Sequence, residues 1–242
     1  MRVGLFVPCY IDQFYPSVAI ATLQVLEKAG CQVFYPKQSC CGQPLANAGY
    51  ASYTTGCNRS FVKSFSGYDY IVAPSGSCVL HIKEHLHDND HPAAAKQIRQ
   101  NIYELTEFLT DVLKATVTAN FPYRVGMHTS CHGQRMLRLS SMSERVEAPF
   151  SKAEQLLQTV GGLQLVKPQR VDECCGFGGT FCVTEEAVSV RMGQDRVEEH
   201  EANNVDYITG GDTSCLMHLE GILKRKGSRV KVIHLAEILN AQ

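Results

Sequence analysis

Short apolar runs alternate with longer stretches of helical periodicity along the first half of the chain. Three runs are each typical of a buried strand: Val3 to Val7, Gln32 to Tyr35 and Tyr70 to Ala73. Ser17 to Ala29 has apolar residues at helical spacing and stops at Gly30, and a weaker helical pattern extends from about Leu45 to Phe65. Strands that alternate with helices predict an α/β fold with a parallel sheet.

The second half repeats this pattern. Three further runs predict strands: Arg124 to His128, Leu163 to Val166 and Val205 to Thr209. Helical spacing extends over Lys152 to Val160 and over Val183 to Ala202. The chain therefore contains the same predicted order of elements twice.

Local sequence also matches between the halves. Ser77 to His81 resembles Ser214 to His218, and Leu105 to Leu109 resembles Leu235 to Leu239. Such correspondence indicates an internal duplication. We therefore predict two parallel-sheet halves related by pseudo-twofold symmetry, with domains at 1–115 and 123–242. The polar, proline-containing segment between them interrupts the helical pattern.

Composition narrows the class of protein. The 242 residues include 23 Lys and Arg against 24 Asp and Glu, without a long block of either sign, so no nucleic-acid partner is predicted. No stretch reaches the roughly 18 apolar residues of a membrane span. Eleven cysteines, an odd number, follow no signal peptide. We therefore expect a cytoplasmic protein with reduced thiols rather than a secreted disulfide framework.

Two adjacent cysteines followed by glycine occur in both halves, at Cys40-Cys41-Gly42 and Cys174-Cys175-Gly176. Neighbouring cysteines rarely reach disulfide geometry without strain, but they can direct two soft thiolates at one metal. Each half adds one early and one late cysteine. The candidate ligands are Cys9, Cys40, Cys41 and Cys78 in the first half and Cys131, Cys174, Cys175 and Cys215 in the second.

These cysteines follow the predicted strands, in what we expect to be loops. Because the carboxyl ends of parallel strands share one edge of a sheet, each set of four should converge. Four thiolates suit either zinc or an iron–sulfur cluster. The chain has no pair of cysteines separated by two residues, which disfavours a zinc knuckle, and its spacing differs from the ferredoxin pattern. No nicotinamide or flavin fingerprint is present.

The sequence resembles the CCG-domain, or cysteine-rich domain, family over nearly its whole length. That family includes the B subunit of heterodisulfide reductase, the glycolate oxidase iron–sulfur subunit and, most similar to this chain, the lactate-utilization protein A family. Four segments carry the resemblance: Cys-Cys-Gly-Gln-Pro-Leu-Ala-Asn-Ala-Gly-Tyr at 40–50, Pro-Ser-Gly-Ser-Cys at 74–78, Cys-Cys-Gly-Phe-Gly-Gly-Thr-Phe at 174–181 and His-Leu-Ala-Glu-Ile-Leu at 234–239.

The resemblance implies an electron-transfer subunit of a complex that oxidises L-lactate to pyruvate. The implied partners are a ferredoxin-like iron–sulfur subunit and a third small subunit, and the implied cofactor is an iron–sulfur cluster, 4Fe–4S in type, with up to two per chain. The subunit would be part of an oxidoreductase and not active alone. A zinc-stabilised scaffold of such a complex and a thiol–disulfide reductase are the alternatives.

The chain departs from the heterodisulfide reductase pattern, in which five cysteines hold a noncubane cluster. Ser75 and Asp212 stand where the fifth cysteine of each half would be. A four-cysteine 4Fe–4S cluster, or one with an oxygen ligand from Asp212, fits this sequence. As an alternative role, Asp212 and Ser75 are expected to cap the helices that follow them.

Several histidines and the remaining cysteines are secondary candidates. His81 and His218 occupy matching positions one helical turn after the late cysteines, where they could tune a cluster or simply pack. His128 and His132 flank Cys131 without a counterpart in the first half, so the second site could have a separate role. Three cysteines lack a partner in the other half and are predicted to be buried fillers, with Cys182 also a possible spare ligand: Cys31, Cys57 and Cys182.

Overall fold

Two four-stranded sheets, each entirely parallel, organise the chain. The computed structural model describes residues 1–242. The first sheet has the order β2-β1-β3-β4 and consists of β1 (Arg2–Leu5), β2 (Gln32–Phe34), β3 (Tyr70–Ala73) and β4 (Ile102–Glu104). The second has the order β6-β5-β7-β8 and consists of β5 (Arg124–Met127), β6 (Gln164–Val166), β7 (Tyr207–Gly210) and β8 (Lys231–His234). The predicted α/β fold with two duplicated parallel-sheet halves is confirmed.

The two sheets also share their register. Val3 lies opposite Tyr70 in the first sheet, and Val125 lies opposite Tyr207 in the second. The central strand of each sheet therefore pairs with its neighbours in the same way. Equivalent positions in the two halves can be assigned from this backbone pairing.

Twelve α-helices connect and cover the strands. They are α1 (Cys9–Phe14), α2 (Pro16–Lys28), α3 (Gln43–Asn47), α4 (Thr55–Phe65), α5 (Gly76–His85), α6 (Pro92–Asn101), α7 (Leu105–Glu107), α8 (Lys152–Leu157), α9 (Phe181–Thr184), α10 (Glu186–Ala202), α11 (Thr213–Lys226) and α12 (Leu235–Asn240). A 3₁₀ turn at Ala51–Thr54 and π-helical turns at Phe108–Val112 and His132–Met136 complete the set. No helix combines the length and the apolar character required to cross a bilayer.

The structure corrects several element boundaries. The fourth strand of each sheet was not predicted, because β4 and β8 each contain only two consecutive apolar residues and each leads directly into a helix. The expected helix over 45–65 is divided after α3, where Gly49 adopts φ +88°. The expected helix over 183–202 is interrupted at Glu185, whose backbone is non-helical.

The halves share their largest hydrophobic core. This cluster of 23 buried residues takes members from β1 and from β5, including Val3 and Val125. Helix α12 of the second half packs on α2 of the first, and Leu26 and Leu239 are buried in the same cluster. Both segments contribute to one continuous core. The division into domains at 1–115 and 123–242 remains a prediction from the sequence.

Candidate metal centre

The four cysteines of the first set follow three neighbouring strands. Cys9 begins α1 after β1, Cys40 and Cys41 lie in the segment after β2, and Cys78 is in the first turn of α5 after β3. The expectation that all four occupy loops is therefore wrong for Cys9 and Cys78. In each case the chain enters a helix directly after the strand, which places the thiol near free backbone N–H groups.

Hydrogen bonds connect the first set of thiols. The Cys9 Sγ donates to Cys40 Sγ over 3.9 Å, and Cys40 and Cys78 both raise the pKa of Cys41. Hydrogen bonds from Cys41 and Cys9 lower the pKa of Cys40 to about 2. The pKa values of Cys9 and Cys41 are raised, first of all by their bonds to Cys40. The set therefore favours one thiolate stabilised by neighbouring thiols.

The second set repeats this arrangement. Hydrogen bonds from Cys131 and Cys175 lower the pKa of Cys174 to about 2, and those same bonds raise the pKa values of Cys131 and Cys175. The Sγ atoms of Cys175 and Cys215 lie within 4.8 Å of each other, and Cys215 is in the first turn of α11 and not in a loop as predicted. Both predicted sets of four cysteines are thus brought together in space.

The glycine after each cysteine pair has a specific backbone role. Gly42 and Gly176 adopt φ +91° and +90°, a region that side chains other than glycine rarely occupy. Their backbone N–H groups donate to Cys40 Sγ and Cys174 Sγ, each over 3.4 Å. A Cβ on Gly176 would lie 2.5 Å from the carbonyl oxygen of Ser189. The turn that presents the two thiols therefore requires glycine.

His128 belongs to the second site. One of its ring nitrogens and the Sγ atoms of Cys175 and Cys215 all lie within 4.8 Å of one another. The side chain is buried, and burial together with the charge of Arg196 lowers the pKa of His128 to about 4. The imidazole is therefore neutral at pH 7. Its Nε2 has no hydrogen-bond partner, so it can offer either a ligand nitrogen or an N–H donor.

Asp212 and Ser75 both occupy N-cap positions, but they act differently. The Ser75 hydroxyl accepts from Cys78 N at the start of its own helix, as expected. Asp212 makes no such bond to α11, and its Oδ1 accepts instead from Ser77 N of the opposite half over 3.1 Å. The predicted cap is therefore wrong for its own helix. Asp212 Oδ2 is buried without a partner.

The remaining histidine candidates lie beside the thiols. Burial lowers the pKa of His81 to about 4, and the charge of Cys40 opposes this change. His218 Nε2 lies 3.2 Å from the carbonyl oxygen of Ser189, and burial lowers its pKa. His132 Nδ1 is 3.7 Å from the Sγ of Cys131.

The three unpaired cysteines do not behave alike. Cys31 is buried in the largest core cluster, as predicted. Cys57 and Cys182 are only half-buried, so the expectation of buried fillers is wrong for them. The Cys182 Sγ donates to the carbonyl oxygen of Gly179 over 3.0 Å. None of the eleven cysteines forms a disulfide.

A cavity of about 230 Å³ opens between the two halves at the first set of thiols. Cys9, Cys41 and Cys78 line one side, and the second half contributes Phe177 and Thr180. Every side chain in its lining is neutral or a thiol. The first site therefore faces a space that both halves enclose.

Two buried basic residues near the second site were not identified from the sequence. Arg196 and His200 are each 1% exposed. They lie four residues apart on α10, so they share one face of that helix. The available signal was their place on the helix face that also carries the buried Val197 and Gly193.

The donor set fits a metal or a metal cluster. Each half presents four sulfur atoms, which suit iron–sulfur clusters and zinc and are poor ligands for magnesium or calcium. The proximity of these cysteines in a cysteine-rich fold indicates metal or cluster binding. With four thiols on each of two equivalent strand edges, the fold and site define a duplicated α/β cysteine-rich protein.

Comparison with known proteins agrees with this class. The family model described as "Cysteine-rich domain", CCG, matches residues 3–83 and 125–220. The chain is 41% identical to Lactate utilization protein A of Geobacillus sp. strain WCH70 and of Geobacillus kaustophilus, with 100% of each chain covered. The chain therefore belongs to the CCG cysteine-rich domain family and, within it, to the lactate utilization protein A family.

A solved structure shares the fold. A hypothetical protein from Helicobacter pylori matches with a TM-score of 0.62 and 12% identity, over 98% of this chain and 48% of that one. At this identity the likeness concerns the fold alone.

Proposed function

We propose that this protein is an iron–sulfur electron-transfer subunit of a system that oxidises L-lactate to pyruvate. The observation that carries the proposal is the duplicated set of four thiols, in which the glycine after each cysteine pair donates its N–H to the first sulfur of that pair over 3.4 Å. The proposed ligands are Cys9, Cys40, Cys41 and Cys78 at the first site and Cys131, Cys174, Cys175 and Cys215 at the second. When bound, a 4Fe–4S cluster supplies one-electron redox chemistry.

Residues of this chain would bind the cluster and shield it from water. The low pKa values of Cys40 and Cys174, caused by hydrogen bonds from neighbouring thiols, supply one ready thiolate at each site. Cys41 and Cys175 are each 2% exposed, and Cys78 and Cys215 are also buried, so each site has two ligands shielded from water. Such burial restricts solvent access, which is one of the factors that set reduction potential.

Lactate oxidation itself is assigned to another subunit. The side chains that line the 230 Å³ cavity carry no positive charge, so a lactate carboxylate would have no cationic partner there. The name of the relatives supports a multi-protein lactate utilization system. The proposed partners are a ferredoxin-like iron–sulfur subunit and a third small subunit, and a reducing cytoplasm is the proposed location.

Anaerobic purification with iron and sulfide analysis tests the proposal. We expect both elements in the intact protein, with loss from one site in Cys40→Ser/Cys41→Ser and from the other in Cys174→Ser/Cys175→Ser. Cys31→Ser is the matched control, because Cys31 is a core cysteine outside both sets. Protein that contains neither iron nor sulfide under these conditions would refute the proposal.

Zinc is the second candidate, at the second site. His128, Cys175 and Cys215 form the mixed nitrogen and sulfur group that structural zinc sites use. A zinc-stabilised scaffold would dock partners without carrying electrons. Redox titration separates the two candidates, because zinc gives no reducible absorption and no paramagnetic signal.

A further inference from the structure

The second half has an imidazole where the first half has a phenyl ring beneath the thiols. Phe6 N donates to the carbonyl oxygen of Val72 over 2.9 Å, and His128 N donates to that of Thr209 over 2.8 Å. The first bond connects the end of β1 to β3, and the second connects the end of β5 to β7. These strand pairs are equivalent in the two sheets. His128 therefore occupies the position equivalent to Phe6.

A second such exchange lies on the helix that covers this strand. A Cβ on Gly4 of β1 would meet the ring of Phe65 on α4, and a Cβ on Gly126 of β5 would meet the ring of His200 on α10. The two glycines are equivalent by sheet register. His200 therefore occupies the position of Phe65.

The third exchange follows from helix geometry. Phe61 precedes Phe65 by four residues, and Arg196 precedes His200 by four. Residues with this spacing lie on the same face, one turn apart. Arg196 therefore occupies the position of Phe61, one helical turn closer to the helix start.

In the first half these positions form an aromatic cluster. The ring centroid of Phe6 lies 4.9 Å from that of Phe61 and 5.7 Å from that of Phe65. Phe61 and Phe65 are stacked at 4.5 Å. All three are fully buried, and Cys41 and Cys78 belong to the same apolar cluster. Cys41 and Cys78 of the first set therefore pack in a cluster with three uncharged phenyl rings.

In the second half the same positions hold a buried positive charge. The side chain of Arg196 is 1% exposed, whereas its ion-pair partners Glu173 and Glu199 are 27% and 10% exposed. The guanidinium therefore lies deeper than the carboxylates that balance it. Its Nε has no hydrogen-bond partner, nor has the Nε2 of His128 or His200.

The charge is within reach of the thiols. Arg196 forms an ion pair with Glu173 over 3.4 Å, and Glu173 directly precedes Cys174 in the sequence. One ring nitrogen of His128 lies within 4.8 Å of the Sγ atoms of Cys175 and Cys215, and the rings at the positions equivalent to His128 and Arg196, Phe6 and Phe61, are 4.9 Å apart.

We propose that Arg196, His128 and His200 give the second site a higher reduction potential than the first, so that electrons are held preferentially in the second half. The inference rests on the proposed function. A reduced iron–sulfur site carries one more negative charge, which a nearby guanidinium stabilises, and N–H groups directed at sulfur act in the same sense. The phenyl rings of the first half offer neither effect.

Two full-length single-site proteins test this order directly. Cys174→Ser/Cys175→Ser retains the first site and Cys40→Ser/Cys41→Ser retains the second. Each is prepared anaerobically and titrated by potentiometry with paramagnetic resonance detection. We expect the second-site protein to be reduced at the higher potential. Equal potentials, or the reverse order, would overturn the inference.

A variant of Arg196 identifies the cause. In the second-site protein, Arg196→Met should shift the reduction equilibrium about tenfold towards the oxidised form, about 59 mV for one electron. Arg196→Lys, which keeps the positive charge, should keep the reduction potential close to that of the second-site protein with Arg196. The matched control is Phe61→Leu in the first-site protein, which changes packing but not charge and should move the potential less. An unchanged potential in Arg196→Met would overturn the assignment to Arg196.

Failure of this inference can be distinguished from failure of the proposed function. Absence of iron and sulfide from the unaltered chain would refute the proposed function and the inference with it. Two loaded sites with one common potential would refute this inference alone.

Discussion

Ser75 donates its hydroxyl hydrogen to Asp212 Oδ1 over 2.9 Å, although the two residues occupy equivalent positions in the two halves. The same carboxylate oxygen also accepts from Ser77 N and Ser77 Oγ, at 3.1 and 2.9 Å. The second half thus caps a helix of the first. Because one residue is serine and the other aspartate, the two equivalent positions supply a hydroxyl donor and a carboxylate acceptor.

Asp212→Ala should destabilise the metal-free protein. The change leaves buried donors of Ser75 and Ser77 without an acceptor, which we expect to reduce the free energy of unfolding by about 3 kcal/mol. Asp212→Asn keeps an acceptor oxygen and should cost about 1 kcal/mol. Denaturant unfolding measures both. Asp195→Ala, at an ion pair on the helix surface, is the control, and an equal loss there would contradict the capping role.

Glu104 should make stability fall as pH rises. It is buried, and burial raises its pKa from 4.5 to about 7, while bonds from Thr106 and Glu107 act in the opposite direction. The folded state therefore binds a proton that the unfolded state releases between pH 4.5 and 7, and that stabilisation is lost as pH rises through this window.

We expect wild type to lose about 3 kcal/mol more than Glu104→Gln between pH 4.5 and 7. Thermal unfolding of the metal-free proteins across this range provides the measurement. The exposed Glu27, changed to Gln, serves as control and should follow the wild type. Parallel pH profiles of wild type and Glu104→Gln would show that the carboxyl group is not buried in this way.

Much of the fold could be predicted because its signals are local. Four-residue apolar runs mark β3, and the parallel order follows from the alternation with helices. The strand β4 was missed because only Ile102 and Tyr103 precede the polar Glu104, too few for a recognisable period. The thiol sets were predictable, since cysteines at successive strand ends must converge on one sheet edge.

Contacts between the halves could not be predicted in the same way. Asp212 and Ser77 are separated by 135 positions, and neither residue carries a local signal for the other. Arg196 was missed because arginine on a helix is ordinarily exposed. The asymmetry of His128 was visible in the sequence, but its place beside Cys175 and Cys215 required the structure.

The two glycines after the cysteine pairs should differ in how much stability is lost when each is replaced by alanine. Gly176→Ala combines a strained backbone with a Cβ 2.5 Å from the oxygen of Ser189, so we expect a loss of about 3 kcal/mol and of metal at the second site. Gly42→Ala has the same strain, but its nearest contact is a methyl group of Thr54 at 3.1 Å. It should cost about 1–2 kcal/mol.

Metal content and denaturant unfolding of both glycine variants provide the test. Gly221→Ala is the control, because a Cβ there meets nothing within 4 Å and alanine favours the helix. Equal losses for Gly42→Ala and Gly176→Ala would show that backbone conformation alone, and not contact with Ser189, sets the requirement.

His200→Phe should make the metal-free protein less sensitive to acid. Burial, followed by the charges of Arg196 and His128, lowers the pKa of His200 from 6.5 to about 3. The unfolded state therefore binds a proton that the folded state does not, and stability present above pH 6.5 is lost as pH falls towards 3. Between pH 6.5 and 4 this loss amounts to about 3 kcal/mol. Phenylalanine, the residue at the equivalent position 65, does not titrate.

Unfolding free energies at pH 6.5 and pH 4 measure this difference. The control is Val188→Ala, an exposed change on the same helix that alters no titrating group and should follow the wild type. If His200→Phe loses as much stability as wild type over this interval, the imidazole is not held neutral by burial beside Arg196. If His200→Phe loses less stability than both wild type and the control, the imidazole of His200 is uncharged and desolvated in the folded protein, at the position where the first half has a phenyl ring.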